Sequence, residues 1–435
     1  MATQFSIAEG KPWKIPFFTI WGGQALSLLG SQLVQFALIW YLTVETGSAT
    51  VLAIASMIGL LPRVLLGPIV GTLVDRWNRR RIMLVADGVI AIATVLLAVL
   101  FAFNKVDIWH IYLLMFVRSL AGGFHGNAMV ASTALMVPIE HLTRIQGVNQ
   151  MLNGGMDVIA APLGAILLSV LPLQGILAID VVTAIAAIAP LFFIHIPQPE
   201  RIDRQILSVG DKTSIWQDFT EGLRYVLNWP GLIIIALMAI FINFLITPAF
   251  SLIPLLVKDY FGGNALELGW VNSTAGIGII TGGIILSVWG GFKRKILTSF
   301  FGLFGLGVGI LAIALVPSTS ILWIIVPVLI IGIMLTLTDG PINAVMQSTI
   351  DPDMQARVMS LLSSLAGGMS PVGLMIAGPI ADRFGIQIWF FLGGIICLLM
   401  AIVGVFIPAV MNLETNHKDK SQLKDKELAK VYLGD

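Results

Sequence analysis

The chain has 435 residues, of which 57% are hydrophobic and 11% are charged, and its mean hydropathy is +0.93. Soluble globular domains are about half apolar and about a quarter charged, so this composition excludes a soluble or secreted enzyme and indicates a polytopic membrane protein. The formal net charge of +1 gives no sign of a nucleic-acid partner, and the single cysteine, Cys397, excludes a disulfide framework within the chain and a multi-cysteine metal site.

Apolar runs of about 20 to 28 residues recur along the chain, and each is long enough to cross a hydrocarbon core of about 30 Å. The runs predict twelve transmembrane helices, called spans 1 to 12, at 17–43, 50–74, 82–103, 109–137, 145–171, 175–196, 231–257, 268–289, 296–316, 321–348, 358–381 and 389–410.

The longest connection divides the spans into an N-terminal six-helix bundle (1–196) and a C-terminal six-helix bundle (231–411). The cytoplasmic linker 197–230 contains an amphipathic stretch at 216–227 that suits the membrane surface. The tail 412–435 alternates Lys with Asp and Glu, which predicts a solvated end.

The distribution of Lys and Arg predicts which side of the membrane holds the termini. With the N-terminus inside, Lys105, Lys258 and Arg383 fall on the outer side and Arg63 and Arg118 within the core, so the other 20 of the 25 basic residues face the cytoplasm. Short loops rich in Lys and Arg stay inside. We therefore expect a multi-pass protein of the plasma or inner membrane with both termini cytoplasmic.

The two halves of the chain resemble each other. At an offset of 213 residues Arg144 matches Arg357, and at an offset of 214 the run Arg79-Arg80-Arg81-Ile82 falls on Lys293-Arg294-Lys295-Ile296. Parallel repeats of this kind occur in transporters that bind substrate at the repeat interface. We expect an all-α integral membrane fold of two six-helix repeats.

The turn between spans 2 and 3 contains the most specific motif. It reads Gly71-Thr72-Leu73-Val74-Asp75-Arg76-Trp77-Asn78-Arg79-Arg80 and resembles G-x-L-x-D-R-x-G-R-R, the signature of the major facilitator superfamily. The resemblance implies a cytoplasmic gate formed by Gly71, Asp75, Arg76, Arg79 and Arg80. In it Gly71 allows close helix packing, Asp75 pairs with basic groups, and Asn78 tolerates a left-handed turn. A basic cluster that only fixes topology is the alternative.

Span 4 carries Arg118 at a depth of about 15 Å. Arg118-Ser119-Leu120-Ala121-Gly122 resembles a second motif of the superfamily, R-x-x-Q-G, with Ala121 in place of Gln. In its drug–proton antiporters the matching arginine is implicated in proton coupling, which the resemblance implies for Arg118. A structural ion pair with a carboxylate is the alternative. His125 on the same span is a candidate proton relay or a helix–helix contact.

Four further stretches resemble the macrolide-efflux branch of the superfamily, whose relatives include siderophore exporters: Ile20–Ser27, Phe124–Asn127, Ala178–Asp180 and Ala381–Gly385. This resemblance implies a proton-driven exporter of amphiphilic small molecules, of macrolide or multidrug type, that works in the lipid bilayer as a monomer and without a cofactor. A siderophore or a lipid-like compound is the alternative substrate.

Three acidic residues fall at membrane depth: Asp87 in span 3, Asp157 in span 5 and Asp339 in span 10. Each costs about 2.5–3.5 kcal/mol at the centre of a helix, so each needs an interior position and a partner. We interpret Asp87 as structural and hypothesise that Asp157 or Asp339 carries the coupling proton. A permanent ion pair with Arg118 or Arg63 is the alternative for the latter two.

Polar side chains recur at helical spacing on four spans. They are Gln24, Ser27, Ser31 and Gln35 on span 1, Asn149 and Asn153 on span 5, Asn243 and Thr247 on span 7, and Asn343 on span 10. Residues four apart share a helix face, and polar faces in membranes line cavities or join helices. Their coincidence on spans from both halves indicates a central aqueous substrate cavity.

Two aspartates on separate spans also occur in intramembrane aspartyl proteases. That class requires G-x-G-D, which Leu337-Thr338-Asp339-Gly340 lacks, and H-E-x-x-H, G-x-S-x-G and Walker motifs are absent from the sequence. We therefore expect a transporter that is neither an enzyme nor driven directly by ATP.

Overall fold

The computed structural model describes residues 13–198 and 215–414, and the helices of these ranges alternate with short connections. The helices are α1 (Lys14–Thr46), α2 (Ala49–Arg76), α3 (Arg79–Ala102), α4 (Ile108–Met136), α5 (Ile139–Val170), α6 (Leu173–Phe193), α7 (Ile215–Leu227), α8 (Pro230–Ser251), α9 (Ile253–Leu255), α10 (Ala265–Trp289), α11 (Lys295–Leu315), α12 (Leu322–Thr349), α13 (Pro352–Phe384), α14 (Gln387–Val405) and α15 (Pro408–Met411), with a π-helical turn at Leu256–Tyr260 after α9.

Within these described ranges, eleven segments are long and apolar enough to cross a membrane. This confirms the predicted all-α, multi-span membrane fold. Span 4 corresponds to α4, which is 29 residues long but is not among the eleven. Arg118, His125 and Asn127 lower its hydropathy, and they are tolerated because α4 packs against α2 and α3.

Several helix ends differ from the predicted spans because hydropathy detects the apolar run and not the backbone hydrogen bonds beyond it. Helix α5 begins at Ile139 and α13 at Pro352, both before the apolar residues that define spans 5 and 11. Their first turns are polar, which predicts that these turns extend past the hydrocarbon core.

Span 7 is interrupted, in contrast to the single helix predicted at 231–257. Helix α8 ends at Ser251, and α9 and a π-helical turn follow. Pro254 has no backbone N–H to continue an α-helical ladder. In the π-helical turn, Lys258 Nζ donates to Thr43 O and Val44 O at 3.0 and 3.1 Å, where it meets the carbonyl end of α1.

The described helices fall into two compact units. The first comprises Met1–Leu207 with Ile253–Ser273, and the second comprises Ser208–Leu252 with Thr274–Asp435. In the first unit α1 packs against α5 and α6, and α3 packs against α4 and α6. In the second unit α8 packs against α13 and α14, and α11 packs against α12 and α14. Counterpart helices therefore have counterpart neighbours, which agrees with the internal repeat in the sequence.

The first unit has a hydrophobic cluster beside the turn between α2 and α3. Phe17 of α1, Val74 of α2, Met83 of α3, Ala128 of α4 and Ile145 of α5 are buried in it. Because residues from five helices converge there, the cluster fixes the helix register at that end of the unit.

The amphipathic linker helix α7 packs against α13 within the second unit. Arg357 Nη1 lies 2.6 Å from Glu221 Oε2, and the Tyr225 hydroxyl lies 3.2 Å from Asp351 Oδ2. Burial raises the pKa of the Tyr225 phenol above its usual value, so the hydroxyl stays protonated and donates to that carboxylate.

Close packing between α11 and α12 is tested by Gly302→Ala. A Cβ at Gly302 would lie 2.6 Å from the backbone nitrogen of Thr338, so the helices must separate and we expect a loss of about 1–3 kcal/mol of stability. The buried thiol of Cys397 reports unfolding through its reaction with a maleimide dye during heating. The matched control is Gly283→Ala, whose Cβ meets nothing within 4 Å among the described atoms. Equal unfolding temperatures for both variants would contradict this packing.

Candidate functional site

The turn between α2 and α3 uses its arginines in different ways. Arg80 donates from Nε to Leu191 O and from Nη2 to Phe192 O at 2.6 Å, so it binds the carbonyl end of α6. Arg79 is 9% exposed, and its Nε and Nη1 have no hydrogen-bond partner within the described ranges. Arg76 is exposed at the end of α2. The side chain of Asp75 lies outside the described part of the chain.

Asn78 and Gly71 of this turn have the following surroundings in the structure. Asn78 has φ −69° and ψ 113°, which is extended and not left-handed, and its side chain accepts a hydrogen bond from Arg81 N at 3.1 Å. Asparagine therefore stands here as the N-cap of α3. No described atom lies within 4 Å of a Cβ built at Gly71, so the predicted role of Gly71 in close helix packing stays a prediction.

Arg118 and Asp180 form a buried ion pair between α4 and α6. Arg118 Nη1 lies 2.5 Å from Asp180 Oδ2, and the side chains are 9% and 1% exposed. Arg118 Nη1 also donates to Thr94 Oγ1 at 2.7 Å, and Ser31 Oγ donates to Asp180 Oδ1 at 3.2 Å. Helices α1, α3, α4 and α6 thus each contribute one residue to a hydrogen-bonded layer, called the arginine layer.

A second layer lies in the same unit around Asp87. His125 Nε2 is 3.5 Å from Asp87 Oδ1, and Gln24 Nε2 donates to Asp87 Oδ2 at 3.1 Å. Gln24 Nε2 also lies 3.5 Å from Ala187 O on α6. Asp87 is 4% exposed. This set, Gln24, Asp87, His125 and Ala187 O, is called the histidine layer.

The two layers are related by helix geometry. On α1, α3, α4 and α6 the residues of one layer lie seven positions from those of the other: Gln24 and Ser31, Asp87 and Thr94, His125 and Arg118, Ala187 and Asp180. Seven residues are two helical turns, or about 10.5 Å. The first unit therefore holds two stacked polar layers, one with a permanent ion pair and one with a titratable pair.

Asp180 is the partner of Arg118. The sequence analysis did not count Asp180 among the acids at membrane depth. It was noted only as part of the Ala178–Asp180 resemblance, although it interrupts an otherwise apolar run in α6. That isolated charge was the available signal, since a buried acid needs a partner. Its pairing with Arg118 means that Arg118 is not paired with Asp157 or Asp339. Both of those acids are exposed on their own units and make no ion pair with a described residue.

In the first unit the predicted cavity residues have different surroundings. Gln24 and Ser31 face the two layers, Ser27 is half-buried, Gln35 and Asn153 are exposed, and Asn149 Oδ1 accepts a hydrogen bond from Trp21 Nε1 at 2.8 Å. Two residues of the polar face of α1, Gln24 and Ser31, therefore donate hydrogen bonds to buried carboxylates.

In the second unit the predicted cavity residues make neutral contacts. Asn243 Nδ2 donates to Ala239 O of its own helix at 3.0 Å, and Thr247 Oγ1 is 3.0 Å from Ser370 Oγ on α13. Asn343 is exposed near Asp339 on α12. These residues do not form a charged layer like those in the first unit.

Comparison with known proteins places this chain in a family. The Major Facilitator Superfamily model matches residues 20–374, and the chain belongs to that superfamily. It is 33% identical over 402 residues to Macrolide efflux protein A of Streptococcus pyogenes, across 92% of this chain and 98% of that protein. It is 26% identical over 404 residues to Multidrug efflux pump Tap of Mycolicibacterium fortuitum, across 89% and 95% of the two chains.

The fold is also that of a solved transporter. A bacterial homologue of the iron transporter ferroportin, in its inward-facing state, matches with a TM-score of 0.69 over 90% of this chain and 99% of that chain at 14% identity. These findings confirm the predicted family and its macrolide-efflux branch. The chain is a multi-pass efflux transporter and not an enzyme.

The arginine layer is tested by Asp180→Asn. The substitution keeps the shape of the side chain but leaves the Arg118 guanidinium buried without an anion, so we expect a loss of about 3–5 kcal/mol of stability. Maleimide reaction of Cys397 during heating measures the loss. The control is Asp259→Asn, which breaks a 3.5 Å pair with Lys258 at an exposed position and should cost less than about 1 kcal/mol.

The double variant Arg118→Met/Asp180→Leu tests whether an unpaired buried charge causes the loss of stability in Asp180→Asn. It removes both charges together, so it should regain much of the stability that Asp180→Asn loses. A double variant as unstable as Asp180→Asn would show that the charges are not the cause.

Proposed function

We propose that the protein exports cationic amphiphilic compounds of macrolide type in exchange for protons, by alternating access. Similarity to macrolide and multidrug efflux proteins over nine-tenths of the chain supports the substrate class. The observation that carries proton exchange is the 3.5 Å contact between the half-buried His125 and the buried Asp87 in the histidine layer.

Proton binding changes the net charge of the histidine layer. With neutral His125 and ionised Asp87 the layer has a net charge of −1, whereas one added proton gives a charge-balanced imidazolium–carboxylate pair. An uncompensated charge in a low-dielectric interior is unstable without water. The proton-free layer therefore favours a state that admits water, and the protonated layer favours a closed state.

The arginine layer stays charged in both states because a guanidinium is not deprotonated in proteins. Its pair holds α4 and α6 together about two turns from His125. In this proposal Arg118 positions α4, the helix that carries His125. The Asp180 carboxylate neutralises the charge of Arg118.

Asp157 and Asp339 are the second candidate proton sites. Both lie among exposed polar side chains of their own units, with Asn153 near Asp157 and Asn343 near Asp339. A carboxylate on such a face attracts a cationic substrate and releases it when a proton binds. We propose that each of these acids attracts cationic substrate on its own unit, and that Gln35 does so with Asp157 on the first.

The test uses proteoliposomes with a pH-sensitive dye inside and a panel of macrolides, cationic dyes, siderophores and lipid-like compounds outside. We expect substrate-dependent proton movement with cationic amphiphiles, and its loss in Asp87→Asn and His125→Gln, since neither variant can switch the charge of the layer. Asp259→Asn is the surface control and should behave as the wild type.

The results separate the candidate sites. Retained proton movement in Asp87→Asn and His125→Gln, with loss in Asp157→Asn or Asp339→Asn, would move the proton site to the exposed acids. Substrate crossing without proton movement in the wild type would refute proton exchange.

We also propose that both termini are cytoplasmic, because basic residues concentrate at the turns that follow α2 and α10. In a Cys397→Ala background, Lys293→Cys and Ser318→Cys place single thiols at exposed positions in successive connections. A membrane-impermeant maleimide added to intact cells should label the thiol at 318 and should label the one at 293 only after permeabilisation. The reverse pattern would overturn the orientation.

A further inference from the structure

A groove of about 700 Å³ opens beside the α2–α3 turn in the first unit. Its mouth is formed by Arg76, Asn78 and Arg81, and its walls come from α3 and α4. The volume is in the range of small-molecule sites in proteins. The groove lies apart from the two polar layers, whose charged side chains do not line it.

The mouth of the groove is positively charged. Arg76 and Arg81 are exposed, and neither makes an ion pair or side-chain hydrogen bond with a residue whose side chain the structure describes. Arg80, by contrast, is held by the carbonyl end of α6. With respect to the described side chains, two guanidinium groups of the turn are therefore available to an anion, and guanidinium binds phosphate through paired N–H donors.

The walls of the groove are apolar. Val85 and Val89 on α3 are 64% and 40% exposed, and they line the groove together with Val117 and Leu120 of α4. Trp77 stacks on Phe124 with ring centroids 6.3 Å apart and an interplanar angle of 8°. The groove thus continues from a cationic mouth into an apolar channel along membrane-spanning helices.

We propose that this groove binds an anionic phospholipid, with its phosphate on Arg76 and Arg81 and an acyl chain against the valines of α3. Basic pockets between transmembrane helices are sites for anionic lipid headgroups. The two guanidinium groups repel a cationic amphiphile, so the groove is not the substrate site of the proposed exporter. A soluble anion would leave the apolar walls uncovered, which is unfavourable in proportion to their area.

Binding in this groove bridges the helices that carry the polar layers. Ala86 of the groove precedes Asp87, and Ala121 lies one helical turn from both Arg118 and His125. A lipid in the groove therefore fixes the spacing of α3 and α4, and it should stabilise the folded transporter.

The experiment measures lipid binding to the purified full-length chain in detergent micelles. Phosphatidylglycerol, phosphatidylcholine and glycerol phosphate are titrated separately, with adducts counted by native mass spectrometry and unfolding followed through Cys397. We expect phosphatidylglycerol alone to bind and to raise the unfolding temperature. Arg76→Gln/Arg81→Gln should weaken its binding by about tenfold or more. The control Lys293→Gln/Arg294→Gln removes two exposed charges from the corresponding turn of the second repeat and should bind as the wild type.

A second variant tests the apolar walls of the groove without changing the charge of its mouth. Val89→Trp narrows the groove at an exposed position and should weaken phosphatidylglycerol binding although both arginines remain. It also keeps the test valid if the double arginine variant does not fold. Equal lipid binding by Val89→Trp and wild type, or by the two double variants, would overturn the proposal. Stabilisation by glycerol phosphate equal to that by phosphatidylglycerol would show a soluble-anion site instead.

Discussion

A charge that leaves water needs a partner, and this constraint organises the first unit. Arg118 meets it through Asp180, at 2.5 Å, with Thr94 and Ser31 completing the hydrogen bonds. The pair requires α4 and α6 to lie together with α1 and α3 at one fixed register. That same register brings Gln24, Asp87 and His125 together two turns away. The helix packing that the Arg118–Asp180 pair fixes therefore also holds His125 next to Asp87.

The arginines of the α2–α3 turn have different structural surroundings. Arg80 binds the carbonyl end of α6 and so contributes to packing. Arg76 and Arg81 remain exposed at the mouth of an apolar groove, which gives them a different chemical environment. The residues of a signature motif therefore do not form one functional unit here. Their surroundings decide whether each guanidinium holds helices, or is free to bind an anion.

The two halves repeat in packing but not in chemistry. Counterpart helices have counterpart neighbours, since the contacts of α1 and α3 recur as those of α8 and α11. Among the described residues of the second unit, however, the predicted cavity residues make neutral contacts, such as that between Thr247 and Ser370. The similarity to efflux proteins extends over both halves. In our proposal, proton exchange is therefore a property of the first unit, and the second unit contributes substrate contacts.

The sequence by itself indicated an all-α, multi-span membrane fold, the internal repeat and the family. These features depend on local composition and on motifs of adjacent residues, so they need no knowledge of which helices touch. It did not determine that Arg118 pairs with Asp180, 62 positions away, or that Gln24 binds Asp87. It also did not show that Asn78 is the N-cap of α3, and it gave a continuous helix for span 7, where α8 ends at Ser251. Partner choice and helix breaks were decided only by tertiary structure, because they depend on which polar groups the packed helices bring within hydrogen-bond distance.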